Sequence, residues 1–174
     1  MKKNIYYFIL ILVTLIVFTL LYKAIFKSNS YIPSLAINKK INNFSAYSLF
    51  SNKEINIEVL SKEKKITIIN IWSSWCLPCR NEHKYLMKLK QHKNIYLIGL
   101  NYKDNPSKAR EFIDDFGNPF FEILSDPKGI IAIDIGAYGV PETYIIDNEL
   151  NIIKKFIGEL NSNDYDKIVD IANR

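Results

Sequence analysis

The sequence predicts an α/β domain, a central mixed sheet flanked by helices, set behind a single transmembrane helix. Three observations lead there. An uncharged apolar run opens the chain; short β-branched runs then alternate with helical periodicity, first as strand, helix, strand and later as strand, strand, helix; and the only two cysteines fall where a strand gives way to a helix. At 174 residues the chain has room for one catalytic domain and an appendage, not for two ordinary cores.

Residues 1–4 form a short basic tip, and Ile5 to Tyr22 carries no charge before Lys23. With Ala24, Ile25 and Phe26, the stretch 5–26 is long enough to cross a bilayer as a helix, which takes about 20 residues, and Lys23 can snorkel to the interface. Tyr22-Lys23-Ala24-Ile25-Phe26 offers no small-x-small cleavage site, so an uncleaved signal anchor is expected rather than a removed signal peptide. Charge bias leaves its orientation open, because Lys2 and Lys3 on one side face Lys23 and Lys27 on the other. Residues 27–38, polar and broken by Pro33, read as a tether, and 39–174 as the folded domain.

Within that domain, Phe44 to Leu49 and Ile55 to Val59 alternate apolar and polar residues around Ser51-Asn52, which predicts a hairpin as an amino-terminal β extension. Ile66 to Trp72 is a β-branched run suited to a buried central strand. Glu82 to Gln91 places Tyr85, Leu86 and Leu89 at helical spacing, and Ile95 to Leu100 reads as a second buried strand. Asn105-Pro106-Ser107 opens a helix reaching Phe116, where Gly117-Asn118-Pro119 stops it; a short helix over Ile130 to Ile135 ends at Gly136. Thr143 to Ile146 and Ile152 to Ile157 form a second hairpin across 147–151, and a helix from about Ser162 closes the chain.

The apolar content of 48% supports a packed core without staples or a structural metal. The formal charge of +5 comes from lysines scattered among acids, and Lys39-Lys40 and Lys62 to Lys65 are too short to track a nucleic-acid backbone. No nucleic-acid partner is expected.

Chemistry is expected at Trp75-Cys76-Leu77-Pro78-Cys79-Arg80. A thiolate at a helix amino terminus faces unpaired backbone N–H groups and the positive end of the helix dipole, which lowers its pKa from about 8.5. Cys76 is therefore the expected nucleophile, and Cys79, one turn on, the residue that resolves the mixed disulfide. Pro78 removes an N–H that has no helical partner and fixes φ in the first turn. A structural disulfide closing so small a loop adds little stability. Zinc would need more ligands than His83 and His92, which read as solvent-facing helix residues, so no metal is expected. Trp75 is expected as a partly exposed contact beside Cys76, and Trp72 as core.

The segment Asn70-Ile-Trp72-Ser-Ser-Trp75-Cys76-Leu-Pro-Cys79-Arg80-Asn-Glu82 resembles the active site of thioredoxin-fold proteins. More narrowly, Cys79-Arg80-Asn81-Glu82-His83, Asn101-Tyr102-Lys103-Asp104, Gly117-Asn118-Pro119 and Gly136-Ala137-Tyr138-Gly139-Val140-Pro141-Glu142-Thr143, in that order behind an apolar anchor, resemble the DsbE/CcmG subfamily of cytochrome c maturation. The resemblance implies a thioredoxin-like fold, a cis peptide at Val140-Pro141 beside the dithiol, and a backbone before Pro141 able to pair with a substrate peptide. Where ordinary thioredoxin has a buried aspartate, this chain has Asn70, which cannot carry a proton. The acid must then come from elsewhere, and Glu82, one helical turn beyond Cys79, is the candidate proton shuttle that the resemblance also supports, the alternative being a first-turn acid that complements the helix dipole. Glu142 is expected either to tune the site and contact substrate or to be a surface residue.

The resemblance further implies a protein-disulfide reductase on the cytoplasmic (inner) membrane, its soluble domain facing the periplasm, needing no cofactor. It would act on apocytochrome c or a maturation thiol protein and be recharged by a membrane electron donor of the DsbD/CcdA type. Three other readings stay open: a general TlpA/ResA-like tethered thiol reductase, a thiol peroxidase, and a non-catalytic holder of apocytochrome.

Overall fold

The computed structural model describes residues 2–26, 39–62 and 66–173. The chain divides into an amino-terminal unit that carries α1 (Lys2–Phe26) and a larger unit that carries every other element. In α1, Ile5, Phe8, Leu12, Leu15 and Phe18 are all exposed, so the helix is apolar on every face. Such a helix needs an apolar surrounding. Its threonine hydroxyls donate to its own backbone, Thr14 Oγ1 to Leu10 O at 2.8 Å and Thr19 Oγ1 to Ile16 O at 2.9 Å, which satisfies them without water. Among the described residues it is the one helix long and apolar enough to cross a membrane, and it fits a membrane anchor. The tether expected over 27–38 lies outside the described residues.

In the larger unit, β1 (Ser45–Ser48) and β2 (Glu54–Asn56) form a hairpin followed by α2 (Ile57–Ser61). β3 (Thr67–Trp72) leads into α3 (Leu77–Leu89), β4 (Tyr96–Tyr102) into α4 (Pro106–Phe116), and β5 (Glu122–Asp126) into α5 (Ile130–Asp134). β6 (Glu142–Ile146), β7 (Ile152–Ile157) and α6 (Ser162–Asn173) close the chain. The strand order is β2-β1-β5-β4-β3-β6-β7. β3, β4 and β5 are parallel, the remaining pairings antiparallel, so the sheet is mixed as expected. The amino-terminal hairpin extends it through Tyr47 opposite Ser125 and Ser48 opposite Leu124.

Every residue of β3 is buried, because helices cover both faces of the sheet's centre. On one face Ile68 and Trp72 pack with Leu86 and Leu89 of α3, Phe112 and Ile113 of α4, and Ile168 and Ala172 of α6. On the other, Ile69 and Ile71 pack with Ile98, Leu100, Leu124, Tyr144 and Ala132 of α5. Gly99 makes room for the first layer: a Cβ there would lie 2.8 Å from Trp72 Nε1 and 3.0 Å from the Phe120 ring, which stacks on Trp72 at 5.7 Å between centroids.

Two elements differ from expectation. The strand expected over Ile55–Val59 stops at Asn56, whose Oδ1 accepts from Glu58 N at 3.0 Å and Val59 N at 3.4 Å and so caps a helix. β5 has no counterpart among the expected strands. Its two buried apolar residues, Ile123 and Leu124, are adjacent and face opposite layers, so it shows neither strict alternation nor a long apolar run.

Candidate active site

β3 ends at Trp72, and four residues later Cys76 caps α3. Cys76 Sγ accepts from Cys79 N at 3.1 Å, the N-cap role that serine or aspartate plays elsewhere. Pro78 sits in the first turn, where a missing N–H costs nothing. The two cysteines form a disulfide with their Cα atoms 5.3 Å apart. Both are buried, whereas Trp75, Leu77, Pro78 and Arg80 around them are exposed, Trp75 by 60%. The dithiol is thus approached across an apolar rim. A pocket of about 300 Å³ opens beside it, lined by Ser74, Trp75, Arg80, Phe112 and Phe116 among others, with the Arg80 guanidinium 5.0 Å from the Phe116 ring centroid.

Glu82 lies one turn past Cys79 on the inward face of α3 and is fully buried. Its Oε1 accepts from Asn70 Nδ2 at 2.8 Å and its Oε2 from Leu160 N at 2.8 Å. Both donors are neutral. Burial therefore outweighs the hydrogen bonds, and with a smaller push from the Glu159 charge it moves the carboxyl from its ordinary 4.5 up to about 7. Asn70 also donates to Thr143 Oγ1 at 3.0 Å, its register partner across β3 and β6. The Glu82 carboxyl is in this way tied to β3 directly, to β6 through Asn70, and to the turn that carries Leu160.

β6 starts opposite the end of β3, with Glu142 paired to Ile71, which places the preceding loop at the cysteine end of the sheet. The Val140–Pro141 peptide is cis, as expected. Val140 is half-buried and packs against the layer that contains both cysteines; Pro141 is buried and its carbonyl accepts from Gly158 N at 2.9 Å.

Glu142 requires a correction. It is neither a surface residue nor placed for its side chain to meet substrate, being 1% exposed. Strand alternation turns it, with Tyr144 and Ile146, to the face opposite Asn70 and Glu82. There it forms a buried ion pair with Lys155 Nζ at 2.8 Å and accepts from Tyr138 N at 2.8 Å and Tyr144 Oη at 3.1 Å. Lys155 also donates to Gly136 O at 2.9 Å. The pair holds both ends of the loop that leads to Pro141. His83 is a second correction: expected in solvent, it is buried, 2.9 Å from Gly117 O through Nε2 and edge-on to Phe112 and Phe116, and burial lowers its pKa. Lys155, Thr143 and Leu160 support the site without having been singled out by sequence. Among the described residues, no group of three or more His, Cys, Asp or Glu is placed to hold a metal.

Residues 30–169 match the Redoxin family model. A thiol:disulfide interchange protein DsbE of Pasteurella multocida is 36% identical over 171 residues, covering 96% of this chain and 93% of that protein. The chain belongs to the DsbE family of thiol:disulfide interchange proteins. A DsbE of Yersinia pestis is 38% identical over 130 residues, 75% of this chain and 69% of that one. The fold also matches the thioredoxin domain of a thiol-disulfide oxidoreductase from Bacteroides vulgatus, with a TM-score of 0.68 at 16% identity, over 80% of this chain and 100% of that one. As a DsbE-type protein the chain is a disulfide oxidoreductase of thioredoxin-like fold.

Proposed function

We propose that this chain is a membrane-anchored reductase that keeps protein thiols reduced during c-type cytochrome maturation. Residues 5–26 would anchor it in the cytoplasmic membrane as a single span, 27–38 would serve as the tether, and 39–174 would form the domain facing the periplasm. The observation that carries the reductase reading is a dithiol at a helix amino terminus with a buried carboxyl, raised to about 7, bonded in behind it.

In the reduced form, the Cys76 thiolate attacks one sulfur of a substrate disulfide. A Cys76–substrate disulfide forms, and the other substrate sulfur leaves as a thiolate. The Cys79 thiol then gives its proton toward Glu82 and attacks Cys76 Sγ, closing the Cys76–Cys79 disulfide and expelling the second substrate thiolate. Two electrons have passed to the substrate, whose thiolates take up two protons. Trp75, Pro78 and the Val140 backbone before Pro141 border the incoming peptide. The substrates are apocytochrome c, whose haem-attachment cysteines must stay reduced, or a thiol protein of the maturation machinery. A membrane dithiol donor of the DsbD/CcdA type returns the two electrons.

Cys76→Ser is expected to abolish disulfide reduction, and Cys79→Ser to accumulate a mixed disulfide visible on non-reducing gels, from which the trapped partner is identified. Deleting the chain should remove c-type cytochromes, with rescue by added thiol. An equally active Cys76→Ser protein would sink the mechanism, and intact cytochromes in the deletion strain would sink the pathway.

A further inference from the structure

The three residues that lead into Cys76 are each tied to the end of β4 or to the loop that follows it. Ser73 Oγ donates to Tyr102 O; Ser74 donates to Asp104 twice, through its N–H at 2.6 Å and its Oγ at 2.7 Å; and Trp75 Nε1 donates to Lys103 O at 3.1 Å. Asp104 is the hub of this junction. It also accepts from Asn101 Nδ2 at 2.9 Å, at the end of β4, and from Asn105 N at 2.8 Å, in its own turn. A carboxylate is the side chain that can accept four such bonds on two oxygens, and bonds to an ionised acceptor are the stronger kind.

The loop is braced from behind. Lys103 adopts a left-handed φ of 45°, uncommon for a side-chain-bearing residue, and its N–H donates to Asp126 O at 3.0 Å. Gly129, with a φ of 71°, sits under it: any Cβ at that position would collide with the Tyr102 ring and the Lys103 side chain. The brace therefore runs from the β5–α5 turn through Tyr102 and Lys103 to Asp104 and on to Ser74 and Trp75. Leu77 and Pro78, on the other side of Cys76, are exposed.

We propose that Asp104 is a positioning residue for the dithiol, fixing Ser73–Trp75 so that Cys76 stays at the α3 amino terminus and Trp75 stays beside it as a wall for the substrate peptide. The assignment rests on the disulfide-exchange reading of Cys76. Ser74 and Trp75 also line the pocket beside the dithiol, so the same bonds fix one of its walls. Without Asp104 the Ser74 N–H and hydroxyl bond to water, the segment gains conformers, and the sulfur spends less time in the helix field and in line with an incoming disulfide.

The test uses the full chain in detergent with Asp104→Ala, Asp104→Asn and Ser74→Ala. Reduction of a peptide containing one disulfide gives kcat and KM separately, and the pH dependence of Cys76 alkylation by iodoacetamide gives the thiolate midpoint. Asp104→Ala is expected to lower kcat/KM about tenfold or more, the scale that small misplacements of reacting groups produce, and to move the alkylation midpoint upward. Asp104→Asn keeps one acceptor for Ser74 N–H and should recover part of both. Ser74→Ala, which loses only the hydroxyl bond and spares the fold, should shift both in the same direction by less. A purely structural role would lower the folded fraction and leave the alkylation midpoint of folded protein where it was; that result, or wild-type kinetics in Asp104→Ala, overturns the proposal. A wild-type chain that reduces no disulfide peptide would instead overturn the reductase reading, while the alkylation midpoints would still decide the role of Asp104.

Discussion

Glu82 and Glu142 are buried at the same end of the sheet, on opposite faces, within two adjoining layers of one small domain. Glu82 meets only neutral donors, an asparagine amide and a backbone N–H, and its pKa rises to about 7. Glu142 meets the ammonium of Lys155, itself buried, along with Tyr138 N and Tyr144 Oη. The residue type and the burial are shared; the counter-charge is not. A buried acid with no cation can exchange a proton near neutral pH, which suits it to a step that moves one, whereas a buried acid paired with a lysine is a strut. Helical spacing past Cys79, together with the family resemblance, put Glu82 near the thiols, and its place after Pro141 put Glu142 there; only their partners separate the two jobs.

The contrast is broken most severely by Lys155→Met. That change strands the Glu142 charge in the core and should cost about 3–5 kcal/mol in urea unfolding, most of it regained when Glu142→Gln is added. A Lys155→Met protein as stable as wild type would mean that the pair is not a strut. Glu82→Gln tests the other acid through pH. The native carboxyl holds its proton up to about 7, the unfolded one only to about 4.5, so folding binds a proton between those values and stability falls as pH rises through them. The wild type should therefore lose about 3 kcal/mol between pH 4.5 and 7 that Glu82→Gln does not lose; equal slopes would remove Glu82 as the titrating group. Thr143→Val deletes one acceptor of Asn70 while keeping the shape, and should cost about 1 kcal/mol in thermal unfolding with the Glu82-dependent slope intact. The smallest stability effect, within about 0.5 kcal/mol, is expected for Trp75→Phe, exposed beside the dithiol; its signature should be a raised KM for a disulfide peptide.

The central elements were legible in the sequence because their signals are local. The Ile66–Trp72 run, the cysteine pair at a strand-to-helix boundary and the Asn105-Pro106 cap each reflect chemistry within a few residues, and β3, α3 and α4 form accordingly. The burial of Glu82 and His83 was also within reach, since both precede Leu86 by one turn and so fall on its apolar face. What was not legible depends on register. Lys155 meets Glu142 because β7 pairs with β6 so that Lys155 stands opposite Tyr144, two residues along from the acid, and no local pattern sets that pairing. β5 escaped for a similar reason: it is a strand by virtue of lying between β1 and β4, not through its own periodicity.

Glu159 gives the interior chemistry a handle on the outside. It is exposed, bonded at 3.1 Å to Asn81 Nδ2, and sits in the turn whose next residue donates its N–H to Glu82. Its negative charge contributes, least among the causes, to the raised pKa of the buried acid. Position 159 is therefore an exposed place from which the charge near Glu82 can be changed. Removing that charge is expected to lower the Glu82 carboxyl only slightly, because burial sets most of its rise.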